Sequence, residues 1–291
     1  KTTTARTVRL AAAFTLALAA GTLASSAGAQ TTSTILNTKH NLSAVVPGST
    51  SANRFTATST ADDEVCVFCH TPHAASTTAN APLWNKATPT TIAYSLYSST
   101  TMDASRATDG VSSGAIGSVS IACLSCHDGV NAMNSVINAP GSGAGTGAIP
   151  GTWTAGSGTM GTAITKLVED NTIGLSNDHP IGIAYCGWSA VAAGTGALTC
   201  GDADFKTPAV GTAGGSTQVW WLDTEATPNT LRNKTDIILY NRAFGANTGP
   251  SVECASCHDP HLEKYADGSN ARTFLRVANT GSKVCLACHA K

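Results

Sequence analysis

Four copies of one short pattern, Cys-x-x-Cys-His, constrain this chain more than any other feature of its sequence. They are Cys66-Val67-Phe68-Cys69-His70, Cys123-Leu124-Ser125-Cys126-His127, Cys254-Ala255-Ser256-Cys257-His258 and Cys285-Leu286-Ala287-Cys288-His289. Two thiols at this spacing can add to the two vinyl groups on one edge of a porphyrin. The adjacent imidazole is then held beneath the ring, where it ligates the iron. The pattern therefore predicts four covalently attached haem c groups, with His70, His127, His258 and His289 as proximal ligands. Paired Cys-x-x-Cys motifs also build zinc ribbons, and four could form two tetrahedral sites. That reading leaves the histidine after every second cysteine unexplained. A dithiol redox reading calls for a βαβ setting, which surrounds none of the copies.

The chain has eight histidines. Four serve as proximal ligands, leaving His40, His73, His179 and His261 as candidate distal ligands for four six-coordinate irons. His73 and His261 each lie three residues beyond a motif histidine, in Cys-His-Thr-Pro-His and Cys-His-Asp-Pro-His. Three extended residues reach only about 10 Å and proline stiffens the stretch, so each is expected to cross to a neighbouring haem. A lone histidine otherwise reads as a surface or hydrogen-bonding residue. Met102, Met133 and Met160 are alternative ligands by chemistry, but none recurs in a shared context, and they read as packing residues.

The motifs also form an internal duplication. His40, the motif at 66–73 and the motif at 123–127 are matched by His179, the motif at 254–261 and the motif at 285–289. If each half is self-contained, His40 serves the first haem, His73 the second, His179 the third and His261 the fourth.

Charged residues are 12% of the chain and aromatics 5%, which is little material for an ordinary core. The expected fold has few secondary structures: mostly coil, with short helices and minor β strands, wrapped around four stacked haems. Short helices are expected near Ile121–Asp128 and Ser282–His289. Residues 1–29 read as a signal peptide: Lys1, Arg6 and Arg9 are followed by an apolar run too short to span a bilayer and by Ala27-Gly28-Ala29. The remaining chain divides into an N-terminal two-haem half (30–140), a Gly/Ser/Thr-rich intervening region (141–250) supplying His179, and a C-terminal two-haem half (251–291). Turn signals at Gly141-Ser142-Gly143 and Gly214-Gly215 mark the intervening region as loops with short strands, and its tryptophans argue against pure disorder. In an exported protein Cys186 and Cys200 are expected to pair. No basic patch or run points to nucleic acid, and no segment after the leader reads as a membrane span.

With these elements in place the chain resembles the multihaem c-type cytochromes with doubled motifs, most of all the tetrahaem OmcE-type cytochromes that polymerise into extracellular nanowires. The resemblance rests on Lys39-His40-Asn41-Leu42-Ser43, Cys66 to His73, Asp178-His179-Pro180-Ile181-Gly182, Cys254 to His261 and Cys285 to His289. It implies a homopolymer with haem-to-haem contact between subunits and one axial histidine taken from the next subunit, for which His40 is the candidate. It also implies an extracellular or cell-surface location, with other redox proteins or external acceptors as partners. The alternative is a soluble periplasmic tetrahaem shuttle. A multihaem oxidoreductase is disfavoured because four distal histidines leave no iron with an open position, so the chain reads as an electron carrier and not an enzyme. Arg272, Arg276 and Lys283 read as surface charges, with pairing to haem propionates as the alternative.

Overall fold

A computed structural model of the chain describes residues 34–43, 54–55, 64–88, 93–111, 114–117, 119–139, 153–154, 174–215, 217–225, 227, 229, 231–265, 267–271 and 273–290. The leader, the Gly141–Gly143 turn, Met160 and Arg272 lie outside these residues. The described chain is largely coil, with few helices and a modest amount of strand. In chain order the elements are β1 (Ser95–Leu96), α1 (Ser120–His127), β2 (Gly174–Leu175), β3 (Ile183–Ala184), β4 (Ala190–Val191), β5 (Leu198–Thr199), β6 (Ala209–Ala213), β7 (Thr217–Leu222), β8 (Ile237–Phe244), β9 (Asn247–Val252), α2 (Cys254–Cys257) and α3 (Lys283–Cys288). Among the described residues, no helix is long and apolar enough to cross a membrane.

The intervening region is more ordered than its composition suggests. β3, β9, β8, β7 and β6 form, in that order, an antiparallel five-stranded sheet. Its hairpins follow turn chemistry. Gly214 and Gly215, both at positive φ, close β6 onto β7, and Gly245 at φ 64 closes β8 onto β9. Trp220 and Trp221 are neighbours on β7, so they point to opposite faces, yet both are buried. This sheet is therefore covered on both sides at its centre. Trp220 donates its indole N–H to the Gly196 carbonyl, and Trp188 donates to the Pro250 carbonyl. Gly249 is where the indole of Trp188 lies on the sheet; a Cβ there would stand 2.5 Å from the ring. The boundary expected at 250/251 falls inside β9, which runs almost directly into the third motif.

Three apolar clusters hold the structure. One joins the sheet residues Trp220, Leu222, Ile237 and Leu239 to Tyr185, Trp188 and Ala287 of the fourth motif. Another gathers Phe55, Phe68, Met133, Val136 and Trp153 around Cys69 and Cys126. The last packs Ile116, Tyr94 and Leu175 against Ile121 and Leu124 of α1.

Cys186 and Cys200 form a disulfide, with Cα atoms 5.3 Å apart. It ties the turn at Tyr185–Gly187 to β5, and Tyr185 in turn donates its hydroxyl to the carbonyls of Lys206 and Cys288. Closing a loop of this size contributes about 3 kcal/mol. The double variant Cys186→Ser/Cys200→Ser is expected to lose about that much stability in a denaturant titration. The loss should centre on residues 183–209 and the fourth motif, which hydrogen-exchange mass spectrometry would locate.

Candidate haem sites

Each motif places its two thiols and its histidine through local backbone structure. The second sits on α1, where Cys123, Cys126 and His127 occupy the last turn and Asp128 caps the C-terminus through its N–H to the Leu124 carbonyl. The third is the short α2, whose N-terminus carries a reciprocal cap between Glu253 and Ser256. The fourth is α3. The first is a run of turns from Val65 to Cys69, closed by the His70 N–H to the Cys66 carbonyl. None of the eight motif cysteines is in a disulfide.

The motifs touch in sequence order. Cys69 and Cys126 share one apolar cluster, and burial pushes the Cys69 thiol up to about 12, with Cys126 adding to the effect. The Cys123 and Cys254 thiols hydrogen-bond to each other, which raises Cys123 and lowers Cys254. Cys257 and Cys288 are both raised chiefly by burial; the field of Cys257 also acts on Cys288, and that of Cys285 on Cys257. The sulfurs of motifs one and two, two and three, and three and four are thus neighbours.

The histidine rings meet in a pattern that sequence counting misses. His40 faces His127 with ring centroids 6.2 Å apart, and His70 faces His261 at 6.1 Å. Two imidazoles bound through Nε2 on opposite sides of one metal ion, each at about 2 Å, hold their centroids roughly 6 Å apart. Each pair contains one motif histidine and one of the four others. The field of His289 acts on His179, whose pKa is lowered first by burial. Among the described residues no histidine ring packs against His73 or His258.

Hydrogen bonds at the other ring nitrogen set the tautomers. Nδ1 of His70 meets the Pro82 carbonyl at 2.6 Å and Nδ1 of His258 the Thr273 carbonyl at 2.7 Å. His40 and His179 meet the carbonyls of Pro260 and Pro180. A carbonyl only accepts, so Nδ1 carries the proton and Nε2 keeps its lone pair for a metal. Burial, helped by His127, lowers the pKa of His40 to about 4, which keeps that ring neutral at physiological pH. Phe274 stacks on His40 at 4.3 Å, and Phe205 packs on His289.

These residues fit haem. Besides the ring pairs, the buried indole N–H of Trp153, in the cluster around Cys69 and Cys126, has no acceptor among the described residues. A polar group at a bound ligand's edge would satisfy it. Zinc fits less well: no three His, Cys, Asp or Glu side chains converge among the described residues, whereas a structural zinc site needs four.

Two supporting networks were not legible in the motifs. Arg242 of β8, 1% exposed, pairs with Glu253 at 2.7 Å and with Asp109 at 2.6 Å, and donates to the carbonyls of Gly114 and Ala115. Glu253 also accepts from the hydroxyls of Ser120 and Ser251. Ser120, the first residue of α1, accepts the Cys254 N–H. One buried cluster therefore locks the second motif to the third. The strap Pro82-Leu83-Trp84-Asn85-Lys86 does the same for the first and second. Pro82 orients His70, and Leu83 accepts from the Thr71 N–H. Trp84 donates to Ser125, Asn85 to the carbonyls of Val67 and Asn138, and Lys86 to those of Ala132, Met133 and Ser135.

Two expectations change. The ring pairs cross between the halves: His261 faces the first motif and His40 the second, because α1 and α2 are packed together by the buried network and bring the halves into one body. The His40 ring lies in the field of His127, and also of His261 and His258. Arg276 is buried rather than on the surface, donating to the carbonyls of Ala255 and Lys234 beside Asp259. Met133 is a packing residue in the core, as expected. No family model matches the chain, and no curated protein matches it significantly.

Proposed function

We propose that this chain is a tetrahaem bis-histidine c-type cytochrome, exported and polymerising into a conductive filament for long-range extracellular electron transfer. The observation that carries the haem reading is the pair of imidazole–imidazole contacts, each joining a motif histidine to a histidine outside the motifs with ring centroids 6.2 and 6.1 Å apart. Haem supplies reversible one-electron chemistry at iron. The chain's residues do the rest: the eight motif cysteines attach the groups, His127 and His40 bracket the second site, and His70 and His261 bracket the first. His289 and His179 are assigned to the fourth. Two histidines at each haem, with no methionine, would favour low reduction potentials, and a site so held would have no open position for a small-molecule substrate.

Polymerisation draws on the resemblance and on two histidines that face no histidine ring among the described residues. His258 and His73 face no histidine ring among the described residues, and a neighbouring copy can bring them opposite each other. The intersubunit ligand is therefore assigned to exposed His73 rather than His40.

Cryo-electron microscopy of the sheared extracellular fraction of the native cells, with haem counting by mass spectrometry, tests both layers. The expected result is thin filaments with four haems per subunit repeat and His73 crossing the interface. Monodisperse tetrahaem particles would leave a soluble electron shuttle, and a chain without haem would overturn the reading altogether.

A further inference from the structure

The loops that follow the first and third motifs are built alike. His70 donates from Nδ1 to the Pro82 carbonyl at 2.6 Å, and His258 to the Thr273 carbonyl at 2.7 Å. One residue on, Leu83 accepts the Thr71 N–H and Phe274 accepts the Asp259 N–H, both at 2.8 Å. Trp84 and Leu275 then bridge to His70 and His258. Asn85 donates its N–H to the Cys69 carbonyl, and Arg276 to the Cys257 carbonyl. Leu83 at φ 54 and Phe274 at φ 58 both take the left-handed conformation, which is unfavourable for a bulky residue. The duplication of the motifs therefore extends to these loops, although Pro82-Leu83-Trp84-Asn85 and Thr273-Phe274-Leu275-Arg276 share no residue at matching positions.

Equivalent loops have unequal surroundings. Phe274 is half-buried, and the ring of His40, from the other half, stacks on it at 4.3 Å and 9°. Leu83 stands 53% exposed, and His179, the counterpart of His40, is exposed as well. Folding gains little from holding a large apolar side chain in water on a left-handed residue. Two ring contacts join the first half to the second: His40 on Phe274, and His70 facing His261. Advancing each by one half gives His179 on Leu83 and His258 facing His73. Both of these would join the second half of one copy to the first half of another.

We propose that a second copy of this chain covers Leu83, with its His179 packed on that side chain, so that the junction between subunits repeats the junction between halves. The inference rests on the filament reading above and deepens it by naming the contact surface and its occupant. The two surfaces differ, so the contact is head-to-tail and leaves one Leu83 and one His179 open at the ends of any assembly. Leucine lacks the ring of Phe274 and contributes buried apolar area instead of stacking.

Cryo-electron microscopy of wild-type filaments should show Leu83 in van der Waals contact with His179 of the adjacent subunit. The subunit junction should superpose on the junction between halves. Leu83→Gly suits the left-handed backbone, so the variant should keep four haems and a melting temperature no lower than that of the wild type. The fraction of secreted haem protein recovered in filaments should nevertheless fall by about tenfold or more, as a leucine-sized contact is lost from every junction. Leu83→Phe should retain filaments. A leucine that served only its own subunit would lower melting temperature or haem content in the glycine variant and leave assembly of the loaded protein unchanged, which would overturn the inference. Filaments in which Leu83 faces solvent or a porphyrin would overturn it too, with the filament reading intact. Monodisperse wild-type tetrahaem particles would overturn the filament reading and this contact with it. The wild-type map decides even if the glycine variant fails to load haem.

Discussion

Replacing Arg242 with methionine should lower stability by about 3–5 kcal/mol, roughly 10 °C in melting temperature for a chain of this size. The guanidinium is the centre of a cluster in which Glu253 is wholly buried. Without it the carboxylate keeps only the Ser120 and Ser251 hydroxyls and its own helix cap. Asp109, 40% exposed, is rehydrated at little cost. Burial already pushes the Glu253 carboxyl above its ordinary value of 4.5 against the pull of Arg242. Removing Arg242 pushes it further. A carboxyl raised in the folded state favours folding while both states are protonated, and that advantage is lost as pH rises through the folded value. The Arg242→Met deficit should therefore be larger at pH 7 than at pH 4. Adding Glu253→Gln should recover part of it at pH 7. Thermal melts across that range check the sign, and a deficit independent of pH would show that Glu253 is not the group left exposed to the cost.

The second large effect concerns His261. His261→Ala should convert one of the four irons from low-spin to high-spin in the ferric electron paramagnetic resonance spectrum, and that iron should be the first. The ring of His261 faces His70, whereas counting along the duplicated sequence gives it to the fourth site. Epistasis separates the two. In a background lacking the first attachment site, Cys66→Ser/Cys69→Ser, His261→Ala should add no new high-spin iron. A new high-spin signal in that background would return His261 to another haem.

The four motifs, the two helices that carry the second and fourth of them, and the Cys186–Cys200 pairing could be read from the sequence because each depends on residues close together in it. The hairpin at Gly214-Gly215 was legible for the same reason. The sheet was harder to see. Its strands are short, two-sided and rich in small residues, so neither alternation nor a long apolar run marks them; Trp220 and Trp221 give the main hint. The ring pairs depend on the packing of α1 against α2, which is fixed by Arg242, Glu253 and Ser120. None of those three belongs to a recognisable pattern. Lys86 was equally silent, since one lysine in a polar chain reads as surface until its three carbonyl partners are seen.

The crossing of the ring pairs bears on how such a chain matures. If the chain is exported amino end first, as its leader suggests, the first pair of thiols arrives early. The ring that faces His70, at position 261, follows only after the third motif, while His40 has passed before His127 appears. On the haem reading the second site would close as soon as its own motif emerges, and the first would stay open to solvent and to foreign ligands until the third motif had been delivered. A chain cut short anywhere before α2 would then leave the first iron incomplete and spectroscopically visible.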